Sequence, residues 1–363
     1  NPLINYISVK ISSIYSQIHP LSHHHSKLIL SERMAKLFQE ALNNPIQAEG
    51  RKIAKMINMD MEEYKDLRLT YEVFTETLER DEFLKLRAGI VIQSYLPDSW
   101  GYYCKLLEWS KRRIASGGEP IKIRLVKGAK LQMELVESSL HGWESPVFSS
   151  KIETDANFKK ILSVAVLPEN ICAVNLGIAS HNLFDLAYAD ALSTHYQTQD
   201  KMDFEMLEGV SEGNRDAIHA SKHNFILYAP VAASDQFLNA VTYLIRRLDE
   251  NTAPENYLRH SFGMQENSEE WEYLKQQFLD GVALSATVSA ERRRKPTLFV
   301  DETVTPSWQT KIFKNEPETD FHLPENFEWI ERIRKKWLDT INQDFLEIPV
   351  KIESEETRPT LFQ

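Results

Sequence analysis

The sequence predicts an α/β fold: a (β/α)8 barrel that lacks its first strand, followed by a helical and extended C-terminal segment. Three observations predict it. Short β-rich runs alternate with longer amphipathic stretches over most of the chain, the pattern of repeated βα units around a parallel sheet. Seven such runs can be counted, one fewer than a closed barrel of this kind needs. Polar residues end otherwise apolar runs in strand after strand, which is where such barrels carry their sites.

The strands are expected at residues 6–12, 54–60, 89–95, 121–127, 171–180, 203–207 and 224–228. Helical patterns fall at 31–43, 100–116, 129–139, 157–167, 183–192, 213–221 and 233–250. The chain begins at Asn1 and enters β-type sequence within a few residues, so the missing unit is expected upstream. After Gly263 the texture changes. A polar helix rich in Trp and Glu is expected at 265–280, followed by the basic run Arg292, Arg293, Arg294, Lys295 and a Pro- and acid-rich stretch to Pro324. A last amphipathic helix at 326–342 precedes a charged tail. The expected organisation is therefore a barrel over 1–263 and an extension or linker over 264–363.

At 363 residues and 42% hydrophobic composition the chain can bury a large core. A net charge of −11 argues against nucleic-acid binding, since no basic stripe exists to neutralise phosphates. No apolar run reaches the roughly 18 residues that span a bilayer, so the protein is expected to be cytoplasmic, with at most peripheral contact at the inner membrane face. Cys104 and Cys172 have no metal-ligand spacing and are expected to be reduced core thiols. His23, His24 and His25 sit in a Ser/Pro context and are expected in a solvated loop, with no metal.

The strand-end residues are Lys10, Asp60, Gln93, Arg124, Lys127, Ser180, His181, Asn182, Glu205 and Tyr228. Singly, each reads as a structural ion pair or a solvated loop residue. Converging on one barrel mouth, they would cost free energy unless they pair or hold a ligand. Tyr243, Arg246, Arg247 and Glu250 follow at i, i+3, i+4 and i+7, along one side of the helix after the last strand. An arginine fork suits a carboxylate or phosphate; an exposed arginine pair is the plainer reading.

In order, Ile7-Ser8-Val9-Lys10-Ile11-Ser12, Ile123-Arg124-Leu125-Val126-Lys127-Gly128-Ala129, Phe204-Glu205-Met206-Leu207-Glu208-Gly209, Leu227-Tyr228-Ala229-Pro230-Val231 and Tyr243-Leu244-Ile245-Arg246-Arg247-Leu248 resemble the proline dehydrogenase domain of the bifunctional proline utilization A flavoenzymes. The resemblance runs from about residue 5 to about residue 263. It implies a barrel of the proline dehydrogenase type that oxidises L-proline to Δ1-pyrroline-5-carboxylate, passing hydride from C5 to N5 of FAD and electrons on to a membrane quinone. It implies that Lys10, Arg246 and Arg247 hold the proline carboxylate, that Asp60 orients these cations, and that Ala129, Leu207, Tyr228 and Tyr243 pack around the ring. Arg124 would donate near flavin N5. Gln93, Lys127, Gly128, Ala129, Lys151, Thr154, Ser180, His181, Asn182, Glu205, Met206, Leu207, Arg247 and Glu250 would contact the rest of FAD, with Lys127, Lys151 and His181 suited to its pyrophosphate. The segment from Tyr257 to Arg293 resembles the bridge these enzymes carry toward an NAD-dependent aldehyde dehydrogenase domain.

Two residues depart from the pattern. Lys130 stands where many members carry a tyrosine, and Glu205 replaces a glutamine of some members, which could lower the flavin potential. Two other readings remain open: an inactive barrel serving as a structural or dimerisation platform, and a Schiff-base aldolase using Lys10 or Lys127.

Overall fold

The computed structural model describes residues 4–48, 51–208, 212–220, 224–252, 255–261, 263–296, 316–341, 346–349 and 359–362. Residues 1–294 form one compact unit and 295–363 a second. The first unit opens with β1 (Tyr6–Lys10), the short helix α1 (Ile11–Ile14) and the long α2 (His23–Asn43). A small hairpin, β2 (Ile46–Ala48) and β3 (Arg51–Ile53), leads into β4 (Met56–Asp60) and α3 (Tyr64–Leu78). Then come β5 (Ala88–Gln93), α4 (Asp98–Ala115), β6 (Ile121–Val126), α5 (Leu131–His141), α6 (Lys151–Ala165) and α7 (Pro168–Ile171). The barrel portion ends with β7 (Val174–Ala179), α8 (Leu183–Tyr196), β8 (Met202–Leu207), α9 (Glu212–Ala220), β9 (Asn224–Tyr228) and α10 (Phe237–Thr252).

Seven strands form one sheet in the order β1-β4-β5-β6-β7-β8-β9, and every neighbouring pair is parallel. The sheet curls into a half-barrel. Among the described residues no strand ladder joins β1 to β9, yet Tyr6 of the first meets Tyr228 of the last edge to face, with ring centroids 5.6 Å apart. All seven expected strands are present, and the eighth strand of a closed barrel is absent from the described sheet.

Strand alternation divides the residues into two sets. Ile121, Ile123 and Leu125 of β6 are buried on the helix-facing side, while Lys122, Arg124 and Val126 point into the curl. Two glycines make room for polar side chains in this interior. A Cβ on Gly177 would lie 2.0 Å from Glu205 Oε1 and 2.8 Å from Lys122 Cε, and one on Gly89 would lie 2.4 Å from Asn58 Oδ1. Bare backbone at Gly177 lets the ionic Glu205 and Lys122 side chains cross the interior, and at Gly89 it leaves room for the Asn58 amide.

Several elements differ from expectation for local reasons. Helix α3 was not expected, because its sequence mixes Tyr, Thr, Val and Phe, residues that favour strands locally; burial of Leu67, Val73, Phe74 and Leu78 makes it a helix. Helix α6 starts at Lys151, earlier than expected. Ser150 caps it: its hydroxyl accepts from the Glu153 amide at 3.3 Å, and its own amide donates to Glu153 Oε2 at 3.0 Å. Strand β7 starts only at Val174, because Pro168 opens the helical turn α7 just before it. The three histidines are not in a loop: they form the first turn of α2, and His23 Nε2 lies 2.8 Å from Glu72 Oε2. No group of His, Cys, Asp or Glu among the described residues could hold a metal ion. Both cysteines are free, but neither is a core thiol: Cys172 is exposed and Cys104 half-buried.

Two further helices complete the first unit, α11 (Tyr257–Ser261) and α12 (Glu269–Leu284). Helix α12 lays aromatic residues on α8, with Trp271 4.9 Å from Phe184 and Phe278 5.6 Å from Tyr188 between ring centroids. The second unit holds α13 (Pro324–Ile341) and an antiparallel pair, β10 (Leu346–Pro349) with β11 (Pro359–Phe362). Ahead of α13, Asp320 accepts from the His322 amide at 3.0 Å. No described helix is long and apolar enough to cross a membrane.

Candidate active site

The curl encloses a cavity of about 2090 Å³. Lys10 and Asp60, register partners on β1 and β4, lie on its wall. Gln93 from β5, and Arg124, Lys127, Gly128 and Ala129 from β6 and its loop, continue it. Ser180, His181 and Asn182 follow β7; Glu205, Met206 and Leu207 come from β8; and Tyr228 ends β9. Lys151 and Thr154 enter from the first turn of α6, and Tyr243 from α10. Arg246, Arg247 and Glu250 belong to α10 by their backbone, and their side chains lie outside the described residues.

A chain of charge runs across the interior. Lys122 Nζ lies 2.5 Å from Asp203 Oδ2 and 2.6 Å from Glu205 Oε1. Arg124 Nε donates to the other oxygen of Glu205 at 2.7 Å, and its Nη1 reaches Asp60 Oδ1 and Ser8 Oγ, each at 3.4 Å. The guanidinium stacks on Tyr228, 3.9 Å from the ring centroid. Burial opposes ionisation of Glu205, but Lys122 and Arg124 outweigh it and hold its carboxyl below the ordinary range. At Asp60 the balance is reversed: burial raises the carboxyl above its ordinary value against the pull of Arg124 and Lys10. Arg124 Nη2 has no hydrogen-bond partner among the described residues. A buried guanidinium nitrogen left free on a cavity wall is a donor waiting for an acceptor.

A second cluster lies beside the first. Lys127 Nζ sits between Asp155 Oδ1 and Asp185 Oδ2, 2.6 Å from each. Lys151 pairs with the other oxygen of Asp155 at 2.5 Å, and Lys159 with the other oxygen of Asp185 at 3.1 Å. Helix α12 covers it, with Lys159 Nζ 4.7 Å from the Phe278 ring centroid and Gly281 leaving 3.2 Å between a Cβ and that nitrogen. Burial favours the neutral amine of Lys127, yet the two aspartates raise its pKa above the ordinary value and keep it charged.

The loop residues have local duties. Asn182 caps α8 by accepting from the Phe184 amide at 3.0 Å, and Ser180 Oγ accepts from the Asn182 amide at 3.1 Å. Gly128 has φ +133°, and a Cβ there would lie 2.5 Å from the Tyr95 ring, so the loop after β6 can follow this path only with glycine. Gln93 Nε2 donates to the Glu62 carbonyl at 3.2 Å, tying β5 to the loop after β4.

The sequence reading missed Tyr6, Ser8, Glu62, Lys122, Asp155, Asp185 and Asp203. Alternation within β1, β6 and β8 places Tyr6 and Ser8 in phase with Lys10, Lys122 in phase with Arg124, and Asp203 in phase with Glu205, a signal that was available. Asp155 and Asp185 lie on helices and meet Lys127 only through the fold.

The proline dehydrogenase family model matches residues 3–260. The chain belongs to the proline dehydrogenase family. Proline utilization A from Corynebacterium freiburgense is 34% identical over 96% of this chain and 34% of its own, with a TM-score of 0.76. Proline utilization A from Bdellovibrio bacteriovorus inactivated by N-propargylglycine is 29% identical over 96% of this chain and 32% of its own, with a TM-score of 0.77. That from Bradyrhizobium japonicum, at 21% identity and a TM-score of 0.62, shares the fold. This member of the proline dehydrogenase family thus spans about a third of the length of those first two proteins. A comparison with curated proteins gives no match.

Proposed function

We propose that this chain oxidises L-proline to Δ1-pyrroline-5-carboxylate with FAD as the bound acceptor. The observation that carries the reading is Arg124, a buried cation on the cavity wall whose Nη2 has no partner among the described residues. A donor held in place by Glu205 and Tyr228 suits a site where negative charge develops. FAD fits the residues present. Gly128 lets backbone approach closely, and the α6 and α8 N-termini, with Lys151, Thr154, Ser180, His181 and Asn182, offer the donors a pyrophosphate needs. Gln93, Ala129, Glu205, Met206, Leu207, Arg247 and Glu250 would complete the FAD contacts, and the bound flavin would supply the hydride acceptor for proline C5.

The chain's own residues do the rest. Lys10, with Arg246 and Arg247, holds the substrate carboxylate, and Asp60 balances their charge. Ala129, Leu207, Tyr228 and Tyr243 select a small saturated ring by shape. Lys127, occupied by two aspartates, supports the pyrophosphate region through its neighbours. The same environment disfavours the aldolase reading at Lys127, since a Schiff-base lysine must shed its proton. Beyond this site, the reading has a membrane quinone taking the electrons and the C-terminal extension leading to an NAD-dependent aldehyde dehydrogenase domain.

The test is direct. The purified chain should carry a yellow chromophore and reduce an artificial acceptor when given L-proline. Arg247→Met should raise the proline KM strongly and loosen FAD; unchanged KM and flavin content would overturn the carboxylate assignment. A colourless, well-folded protein would favour the structural-platform reading, for which the unpaired edges of β1 and β9 among the described residues speak.

A further inference from the structure

At the cavity mouth an alternating ladder of charge joins the loops after β1, β4 and β6. Glu62 accepts from the Ser12 hydroxyl through Oε1. Its other oxygen, Oε2, lies 3.7 Å from Lys10 Nζ and 3.8 Å from Lys130 Nζ. Lys130 is also held by Glu63 at 2.9 Å, and Glu63 by Lys65 at 2.5 Å.

The distances at Glu62 are the informative ones. One carboxylate oxygen is shared almost equally between two ammonium groups and is in hydrogen-bond contact with neither. The backbone of Glu62 is fixed by Gln93, which grips its carbonyl at 3.2 Å. A small rotation of the side chain would therefore bring Oε2 onto either lysine without moving the loop. The two lysines are not equivalent. Lys130 is mostly buried and anchored by Glu63, whereas the Lys10 side chain is 35% exposed and faces the cavity.

We propose that Glu62 is the resident counter-ion of Lys10, competing with the substrate carboxylate for it, and that Lys130 receives Glu62 when substrate arrives. This rests on the reading that Lys10 binds a ring carboxylate. It makes Glu62 and Lys130 positioning residues that set affinity through Lys10 and touch no reacting atom. Before an anion binds, Glu62 partly neutralises Lys10, so the incoming anion must displace it and binds more weakly than it would to a free ammonium. Lys130 eases that displacement by offering the released carboxylate a second cation nearby.

Opposite effects on one binding constant test the proposal. The probe is tetrahydrofuran-2-carboxylate, titrated against the flavin-loaded chain, with its neutral carboxamide as the charge control. Glu62→Gln removes the competitor and should lower the Kd for the acid by about fivefold, the scale of a partly exposed ion pair. Lys130→Met strands Glu62 on Lys10 and should raise it by about as much. Neither should change the Kd for the carboxamide. In the double variant the Lys130 effect should vanish, because it is exerted through Glu62. With proline as substrate the single variants should move KM and leave kcat in place.

A wild-type chain that loads no flavin or fails to bind the acid would overturn the functional reading and this inference with it. A wild type that binds the acid, with Glu62→Gln unchanged or weaker, would overturn the inference alone. So would a Lys130→Met effect that persists in the Glu62→Gln background.

Discussion

Two clusters of buried charge, one among the strands and one between the loop after β6 and helices α6 and α8, are finished differently. The cluster behind α6 and α8 sets Lys127, Lys151 and Lys159 against Asp155 and Asp185, and both oxygens of each aspartate have a lysine within 3.1 Å. The cluster inside the curl, Lys122, Arg124, Asp60, Asp203 and Glu205, leaves Arg124 Nη2 without a partner among the described residues. By ion-pair distance the first cluster satisfies its aspartates, which makes them structural even though Lys127 and Lys151 also line the cavity. A buried guanidinium nitrogen without a described partner is prepared for something outside the protein. The clusters should therefore respond differently to damage.

The largest effect is expected on turnover. Arg124→Met removes the donor that has no described partner, and the proposed proline oxidation should fall by about 10² or more. Glu205 keeps Lys122 as its counter-ion at 2.6 Å, so the urea midpoint should fall less than in the next variant. Asp185→Asn takes one carboxylate from between Lys127 and Lys159 and leaves buried cations short of partners. It should lower the unfolding free energy by about 3 kcal/mol in urea titrations. If Asp185→Asn instead abolishes turnover at full stability, the division between the two clusters is wrong.

Gly177→Ala should have a smaller effect, confined to the cavity cluster. The new Cβ would meet Glu205 Oε1 at 2.0 Å and Lys122 Cε at 2.8 Å, both at the flexible ends of long side chains that can shift. A loss of about 1–3 kcal/mol is expected, as for overpacking a filled interior. Turnover should fall as well, because Glu205 positions Arg124. A drop in stability with turnover intact would mean that Arg124 tolerates displacement.

How much of this was legible in the sequence follows from the same comparison. The cavity cluster was half readable, since strand alternation puts Arg124, Glu205 and Asp60 at inward strand ends. Lys122 and Asp203 went unremarked because they sit two residues before the strand-end positions. The cluster behind α6 was read differently. The family resemblance puts Lys127 and Lys151 at a pyrophosphate, and nothing in their spacing indicates that Asp155 and Asp185 also take the ammonium of Lys127 from two different helices. The seven strands were legible because buried parallel strands read as continuous apolar runs, as in Ile90-Val91-Ile92. Helix α3 was not, because its local preference runs against its tertiary environment. The Arg246/Arg247 pair was legible as a motif, and its side chains fall outside the described residues.

The smallest effect, and the one that separates the clusters most cleanly, is in the pH dependence of stability. Asp185 lies below its ordinary value of 3.8: burial works against ionisation, and Lys127 and Lys159 overcome it. Its stabilisation is then fully present above pH 3.8 and is lost as pH falls through the lowered folded-state value. Asp60 has the opposite sign. Burial raises its carboxyl above 3.8, so the folded state holds a proton that the unfolded chain releases. The protein loses stability through Asp60 as pH rises from 3.8 to the raised value, and nothing more above it. Urea midpoints measured on acidification should therefore converge between wild type and Asp185→Asn. Between wild type and Asp60→Asn, the wild type should gain ground as pH falls. The second change should be the weaker, because the Asp60 side chain is 32% exposed and solvent screens it. Parallel pH profiles for the two variants would mean that the aspartates share one kind of environment, and the contrast between a closed cluster and an open one would fail.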